Sequence, residues 1–182
     1  SLLRLEYDAA GNFEDHATQV VLNRDFPAPC FRAADRDEDC LVLKTEKLTL
    51  TYRKSQGFTA SGLQIKVEGN YSLHHSVWHF GEEPDDFGGT ARTLDNADGA
   101  VPLERGIQSR DGWSVLDDTG SLLLTEDGKI RRRPEGETAD LYFWGYGHDY
   151  EQCLKDFYHL TGDVPLLPRY ALGNWWSRYH RY

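Results

Sequence analysis

The amino-acid sequence predicts a mainly β protein, in which a β-sandwich is followed by one α-helix and one further strand. The first two thirds of the chain contain short apolar runs with a period of two, which places each set on one face of a sheet. Turns rich in Gly and Asp separate these runs at intervals of about ten residues, a spacing typical of sandwiches. From Asp149 onward the apolar period becomes helical.

Several segments carry the strand pattern. Leu3, Leu5 and Tyr7 share one face of the first segment. Further strands are predicted within residues 18–23, 40–54 (two strands), 62–69 and 141–147, the last apolar enough to be buried on both faces. Residues 112–129 predict a hairpin, because two apolar runs flank the turn residues 117–120, and Asp127-Gly128 predicts a second tight turn.

The end of the chain predicts a change of architecture. Asp149 with Gln152 resembles a helix capping box, and Gly162 suits the helix C-terminus. The apolar face of this helix comprises Tyr150, Cys153, Leu154, Phe157 and Leu160. A strand, "YALGNWW" at 170–176, follows a sandwich that is already complete, so we expect two units, at 1–147 and 148–182.

Composition narrows the functional classes. The 182 residues carry a formal net charge of −10, which disfavours nucleic acid and anionic membranes as partners. The cluster Arg131–Arg133 is interpreted as solvated surface. The three cysteines, Cys30, Cys40 and Cys153, contain no CxxC pair and fit a reducing, cytoplasmic compartment, although a Cys30–Cys40 disulfide stays open. No apolar run approaches the roughly 20 residues of a membrane helix.

Residue types alone reveal no complete catalytic or metal site. His74, His75 and His79 lack an acidic or cysteine partner at ligand spacing, so we expect no metal and no cofactor. The acidic stretch 35–39 lacks the glycine and distal glutamate of a calcium loop. In the adjacent acids Glu82-Glu83, Asp85-Asp86 and Asp117-Asp118, neighbouring side chains on a strand would point to opposite faces.

The long segment 80–113 is the strongest candidate for binding. Its glycines allow backbone conformations that other residues rarely adopt. Asp95, Asn96 and Asp98 offer short acceptor side chains on a loop. Such residues suit sugar hydroxyls, but they serve equally to make turns. The aromatic side chains of Trp113 and residues 141–147 could stack on sugars, yet in strands they more often fill a core.

Two long motifs resemble glycoside hydrolase family 31, the α-glucosidase and α-xylosidase family. They are "DFYHLTGDVPLLPRYALGNWWSRY" at 156–179 and "GGTARTLDNADGAVPLERGIQSRDGW" at 88–113, the latter as in the family's bacterial branch. The likeness extends over essentially the whole chain. It implies a galactose-mutarotase-like β-sandwich, then a helix and the first strand of a (β/α)₈ barrel whose other strands lie beyond residue 182.

The resemblance also implies a substrate and its contacts. In the family, a loop of the N-terminal domain reaches the active-site mouth, and the Asp of its Asn-x-Asp-Gly motif hydrogen-bonds the sugar. The resemblance therefore implies that Asp98 binds the sugar, with Asn96 and Asp95 beside it. Leu94 and Ala97 differ from the residues that the family usually has in this stretch. Tyr179 matches the Tyr of the family's "SRY". The two catalytic Asp residues belong to later barrel strands, so no catalytic residue is assigned here.

The implied function is therefore that of the N-terminal domain of a retaining α-glycosidase acting on α-linked glucosides or xylosides. Its partners would be the α-glycoside or oligosaccharide and the chain's own C-terminal barrel. Two alternatives stay open: a free-standing carbohydrate-binding module, and a sandwich that serves only structure or partner binding. Sugar affinity of the isolated chain would favour the first, and indifference of the enzyme to a change at Asp98 would favour the second.

Overall fold

The computed structural model describes residues 1–13, 15–69, 76–91 and 96–173. Within them the chain is mainly β, with one α-helix near the C-terminal end. The strands are β1 (Leu2–Asp8), β2 (Ala17–Thr18), β3 (Phe31–Asp35), β4 (Cys40–Thr45), β5 (Leu48–Arg53), β6 (Leu63–Val67), β7 (Val77–His79), β8 (Trp113–Asp117), β9 (Leu123–Leu124), β10 (Ile130–Arg131) and β11 (Thr138–Gly145). The helix is α1 (Tyr150–Thr161), and single 3₁₀ turns occupy Lys54–Gln56 and Arg169–Leu172.

The described strands form three antiparallel sheets. The largest has five strands in the order β3-β4-β5-β6-β7, so each strand pairs with its sequence neighbour. The second has the order β1-β11-β8, which joins the two ends of the sandwich. The third, β10-β9-β2, contains only two-residue strands. The predicted β-sandwich followed by one helix is thereby confirmed.

β11 is the central strand of the fold, and both of its faces are buried. Leu141 and Phe143 point into a core between the β1-β11-β8 sheet and the five-stranded sheet. Tyr142 and Trp144 point the other way, into a second core closed by α1. The continuous apolar run 141–147 is explained by these two cores, because neither face of the strand meets water.

The helix forms where its caps predict it. The Asp149 carboxylate accepts a hydrogen bond from the Gln152 amide at 3.2 Å, which satisfies one free N–H of the first turn. At the other end, Gly162 has a φ of 98° and donates its N–H to the Tyr158 carbonyl. Cys153 and Leu160 are fully buried against the sheet, with Tyr150 and Phe157 packed beside them.

The predicted hairpin at 112–129 is wrong. β8 pairs with β11, and β9 pairs with β2 and β10, so the turn after Asp117 passes the chain from one sheet to another. The short alternating runs are compatible with either pairing, and burial of Trp113 in the first core decides between them. The second predicted turn, at Asp127-Gly128, is confirmed as the β9–β10 connection.

Three other local predictions differ from the structure. In the segment predicted at 18–23, only Thr18 lies in a strand, the two-residue Ala17–Thr18. The Thr18 hydroxyl accepts hydrogen bonds from the amides of Val20 and Val21 and bends the chain. Tyr170–Leu172, the beginning of the predicted strand 170–176, lies in a 3₁₀ turn. The sequence pattern also missed β3, whose five residues are all exposed, and the short β7.

Candidate functional site

The segment between β7 and β8 leaves the sandwich as a two-legged loop. Its legs are joined by backbone hydrogen bonds, from the amide of Phe87 to the Gln108 carbonyl at 3.0 Å and from the amide of Gly89 to the Glu104 carbonyl at 2.6 Å. Nearer the sandwich, Asp86 and Ser109 form an isolated antiparallel bridge. The described residues of the loop are therefore held in a defined course although they form no regular strand.

Glycine is required where the two legs touch. A Cβ atom on Gly89 would lie 2.6 Å from the Arg105 carbonyl oxygen, and one on Gly106 would lie 2.6 Å from the Gly88 carbonyl oxygen. The Asp86 carboxylate caps the contact by accepting hydrogen bonds from the amides of Gly88, at 2.6 Å, and Gly106, at 3.2 Å. These contacts act as a clamp across the loop.

The root of the loop is tied into the second core. Ser109 is fully buried; its amide donates to the Tyr146 hydroxyl oxygen and its own hydroxyl donates to the Trp113 carbonyl, both at 2.6 Å. Burial raises the pKa of the Tyr146 hydroxyl, which keeps it protonated. Asp111, also buried, accepts from the Asp85 amide at 2.8 Å. The loop is thus anchored by side chains that are themselves rigidly packed.

The tip of the loop carries two of the predicted site residues. Asn96 and Asp98 are both exposed, and Asn96 has a φ of 60°, the left-handed conformation that Asn tolerates better than most residues. Asp98 makes no hydrogen bond or ion pair with another residue of the described ranges. Its carboxylate is consequently free to accept from a ligand. Asp95 and Tyr179, the other two predicted residues, lie outside the described residues.

The other candidates of the sequence have structural contacts. His74 and His75 lie outside the described residues, and His79 contacts the Glu82 carboxylate at 3.2 Å. In the described ranges, no three His, Cys, Asp or Glu side chains are grouped as a metal site would require. In the acidic stretch 35–39, the Asp39 carboxylate accepts from the amide and hydroxyl of Ser55. The cysteines are free thiols, so the alternative of a Cys30–Cys40 disulfide is wrong.

A buried charge network was missed by the sequence analysis. Arg133, expected at the solvated surface, has only 12% of its side chain exposed and donates to the carboxylates of Asp140 and Asp118 at 2.8 and 3.3 Å. Asp140 also binds Arg4, and Asp118 accepts from the Thr18 hydroxyl. Asp117 next to Asp118 is exposed, as expected for neighbours that point to opposite faces.

This network has a structural role. Burial raises the pKa of Asp140, but the hydrogen bonds and charges of Arg4 and Arg133 outweigh it, so the net pKa is lowered and the carboxylate stays ionised. For Asp118, burial dominates and raises the pKa. The network joins strands of two sheets within the molecule. Several carboxylates on the described part of the loop are exposed; those of Glu83 and Asp85 form ion pairs with arginines, whereas that of Asp98 has no ion-pair partner among the described residues.

Comparison with known proteins finds sequence similarity to a glycosidase. The chain is similar to an α-xylosidase. That protein, from Saccharolobus solfataricus, is 29% identical over 140 residues, which cover 75% of this chain and 18% of the relative. The chain therefore spans less than a fifth of the length of the relative it matches. No protein-family model matches the chain. The similarity supports a relationship to a glycoside hydrolase.

Among the described residues, no helix combines the length and the apolar character that crossing a bilayer demands.

Proposed function

We propose that this chain is the N-terminal β-sandwich of a family 31 α-glycosidase, which hydrolyses α-linked glucosides or xylosides with retention. In this proposal residues 1–147 are the sandwich domain, and residues 148–182 comprise a linking helix and the first strand of a catalytic barrel that continues on the following chain. The observation that carries the proposal is the 29% identity to an α-xylosidase over 140 residues. The clamped loop between β7 and β8 supplies the physical means of contributing to a substrate pocket.

In this proposal the loop brings Asp98 to the sugar. A carboxylate accepts hydrogen bonds from two adjacent sugar hydroxyls without a proton of its own, and it discriminates against sugars that lack those hydroxyls. The clamp at Gly89 and Gly106 keeps the loop extended before the substrate arrives, so little ordering free energy is lost on binding. Asn96 shapes the tip through its left-handed backbone.

The bond cleavage itself belongs to carboxylates on the barrel. In a retaining glycosidase one carboxylate attacks the anomeric carbon while an acid protonates the leaving oxygen, and water then hydrolyses the glycosyl-enzyme intermediate. The sandwich contributes substrate orientation and one wall of the pocket. It performs neither step.

The segment after α1 is suited to continue into a second unit. Val164, Leu166, Leu167, Tyr170 and Leu172 are each at least 61% exposed. A run of large apolar side chains at the surface marks an interaction site. In the proposal these residues pack against the barrel that follows them, and the sandwich braces the barrel in turn.

The proposal is tested by replacing Asp98 in the full-length enzyme. Asp98→Ala removes a charged acceptor and leaves two sugar hydroxyls unpaired, so kcat/KM for p-nitrophenyl α-xyloside or α-glucoside should fall on the order of 10- to 100-fold. Asp98→Asn, which retains an acceptor oxygen, should lose less.

A matched control separates this effect from a general loss of surface charge. Glu126 is another exposed carboxylate, located in the β9–β10 turn, and Glu126→Ala should leave kcat/KM unchanged. If Asp98→Ala has kinetics equal to those of Glu126→Ala, the loop does not touch the substrate and the sandwich serves only structure.

A further inference from the structure

Both legs of the loop between β7 and β8 rest on the first turn of α1. From the first leg, the Phe87 ring meets the Tyr150 ring edge to face at a centroid distance of 5.5 Å. From the second leg, the Gln108 side-chain amide donates a hydrogen bond to the Tyr150 carbonyl at 2.8 Å. The Cys153 thiol, a weak donor, lies 3.6 Å from the Ile107 carbonyl oxygen. The loop is therefore tied to the helix as well as to the sandwich.

The Phe87 ring is also held on a second side. The Arg110 guanidinium lies over it, 4.9 Å from the ring centroid, and pairs with the Asp85 carboxylate at 3.0 Å. Phe87 is nevertheless 47% exposed. Because burial stabilises a fold in proportion to the apolar area removed from water, this ring contributes little to folding of the sandwich. Its contacts hold the first leg of the loop against the helix.

The helix is a firm support for the loop. Its Cys153 and Leu160 side chains are fully buried against the sheet, and the Asp149 carboxylate caps its first turn. The Tyr146 ring, directly after β11, lies 6.0 Å from the Tyr150 ring. The loop thus lies on a surface whose own position is fixed by the sandwich.

We propose that the first turn of α1, residues 150–153, is a seat that sets the direction of the loop, and that Phe87 and Gln108 are positioning residues for Asp98. The seating rests on the contacts above; its use in presenting Asp98 to a sugar rests on the proposed function. In the proposed enzyme α1 also leads to the barrel, so the loop and the barrel share one support. Phe87 and Gln108 then determine where the Asp98 carboxylate meets the sugar, although they act only through the loop.

Variants of Gln108 in the full-length enzyme test the hydrogen bond to the seat. Gln108→Ala removes the donor, and Gln108→Glu keeps the size but has no proton to donate when ionised. Both should lower kcat/KM for p-nitrophenyl α-xyloside or α-glucoside about tenfold, whereas Gln108→Lys restores a donor and should keep most of the activity. Gln152→Ala is the matched control, because the Gln152 side chain lies on the same turn of α1 but donates to Asp156 within the helix. It should leave kcat/KM unchanged.

A double change distinguishes positioning from general support. If Gln108 acts through Asp98, adding Gln108→Ala to Asp98→Ala should cost little more, because the first change has already removed what the second one positions. Circular dichroism checks that each variant is folded. Additive losses would overturn the positioning role. So would a Gln108→Ala enzyme with the kinetics of the parent beside an impaired Asp98→Ala enzyme, and that result would leave the proposed function standing.

Hydrogen exchange in the 182-residue chain tests the seat without any substrate. The amides of Gly89 and Glu104 donate hydrogen bonds across the two legs. Phe87→Ala and Gln108→Ala should each speed the exchange of these amides about tenfold, while the amides of β5 keep the rates of the parent. Parent rates at the leg amides in both variants would overturn the seat. This measurement decides the seat even if Asp98→Ala leaves the enzyme unchanged, a result that would count against the proposed function alone.

Discussion

The Arg4 guanidinium forms a two-pronged ion pair with the Asp140 carboxylate, at 2.8 Å from Nε and 2.9 Å from Nη2. Arg4 is directly opposite Tyr142 across the β1–β11 pair, so Asp140 is its diagonal neighbour on the same face. Asp140 is 2% exposed and binds Arg133 as well. One carboxylate therefore holds β1, β11 and the segment after β10 together.

Asp140→Asn should destabilise the chain substantially. The change removes the carboxylate that Arg4 and Arg133 share, but each arginine keeps another acid beside it. The cost should therefore be that of lost hydrogen bonds to charged groups, about 1.5–3 kcal/mol. Urea unfolding followed by circular dichroism measures the free energy of unfolding. Asp117→Asn, an exposed acid nearby, is the control and should change it by about 0.5 kcal/mol or less. Equal effects of the two changes would show that the network contributes little.

The same carboxylate should make stability depend on pH in acid. The pKa of Asp140 is lowered in the folded chain, so the folded state binds its proton less readily than the unfolded state. Its stabilisation is present above the unfolded pKa of about 3.9 and is lost as pH falls through the folded value. Unfolding free energies between pH 6 and pH 2 should therefore decline less steeply in Asp140→Asn than in the parent.

Asp118 contributes to the pH dependence of stability with the opposite sign. Burial raises its pKa, so folding favours the protonated form and its contribution is greatest below the unfolded pKa and decreases as pH rises through the folded value. The two contributions partly cancel in the parent chain. An Asp140→Asn curve as steep as that of the parent would contradict the assignment of acid sensitivity to Asp140.

Thiol reactivity should distinguish the three cysteines. Cys30 is exposed, whereas Cys40 and Cys153 are buried. Burial raises the pKa of Cys153 to about 12, so little thiolate exists at pH 8. A colorimetric thiol reagent should find one fast thiol in the native chain and three after denaturation. Cys30→Ser should remove the fast phase; its persistence would mean that the second core opens readily.

The loop clamp can be tested by adding one methyl group. Gly106→Ala places a Cβ 2.6 Å from the Gly88 carbonyl oxygen, closer than real contacts allow, so the legs of the loop must separate. In the full-length enzyme we expect kcat/KM to fall while the fold is retained. Gly120→Ala, where nothing lies within 4 Å of the added carbon, is the matched control. An unaffected Gly106→Ala enzyme would argue against a need for the clamp.

Sequence patterns correctly predicted the strands and the helix that are determined by residues close together in the chain. The period of two located β1, β4, β5 and β6, and the Asp149 and Gly162 caps located the helix. These features depend on neighbours within a few residues, which a single sequence displays.

Features that depend on distant residues were not predictable in the same way. β8 pairs with β11 and not with β9 because its Trp113 is buried between two sheets. Arg133, in the segment after β10, is buried because Asp140 of β11 lies beside it and itself binds Arg4, far away in sequence. At the candidate site, the position of Asp98 on an exposed tip follows from its loop. Its proposed role rests on the resemblance to a family, since an Asp in a turn and an Asp that binds sugar look alike in sequence.

Turnover by the chain and by the longer enzyme tests the central proposal most directly. Purified 182-residue chain should not release p-nitrophenol from p-nitrophenyl α-glucoside or α-xyloside above the rate of buffer, because both catalytic carboxylates are assigned to the chain that follows. The full-length protein should hydrolyse at least one of them and release the α-anomer first, as retention requires. Turnover by the 182-residue chain itself, or none by the full-length protein, would contradict the account.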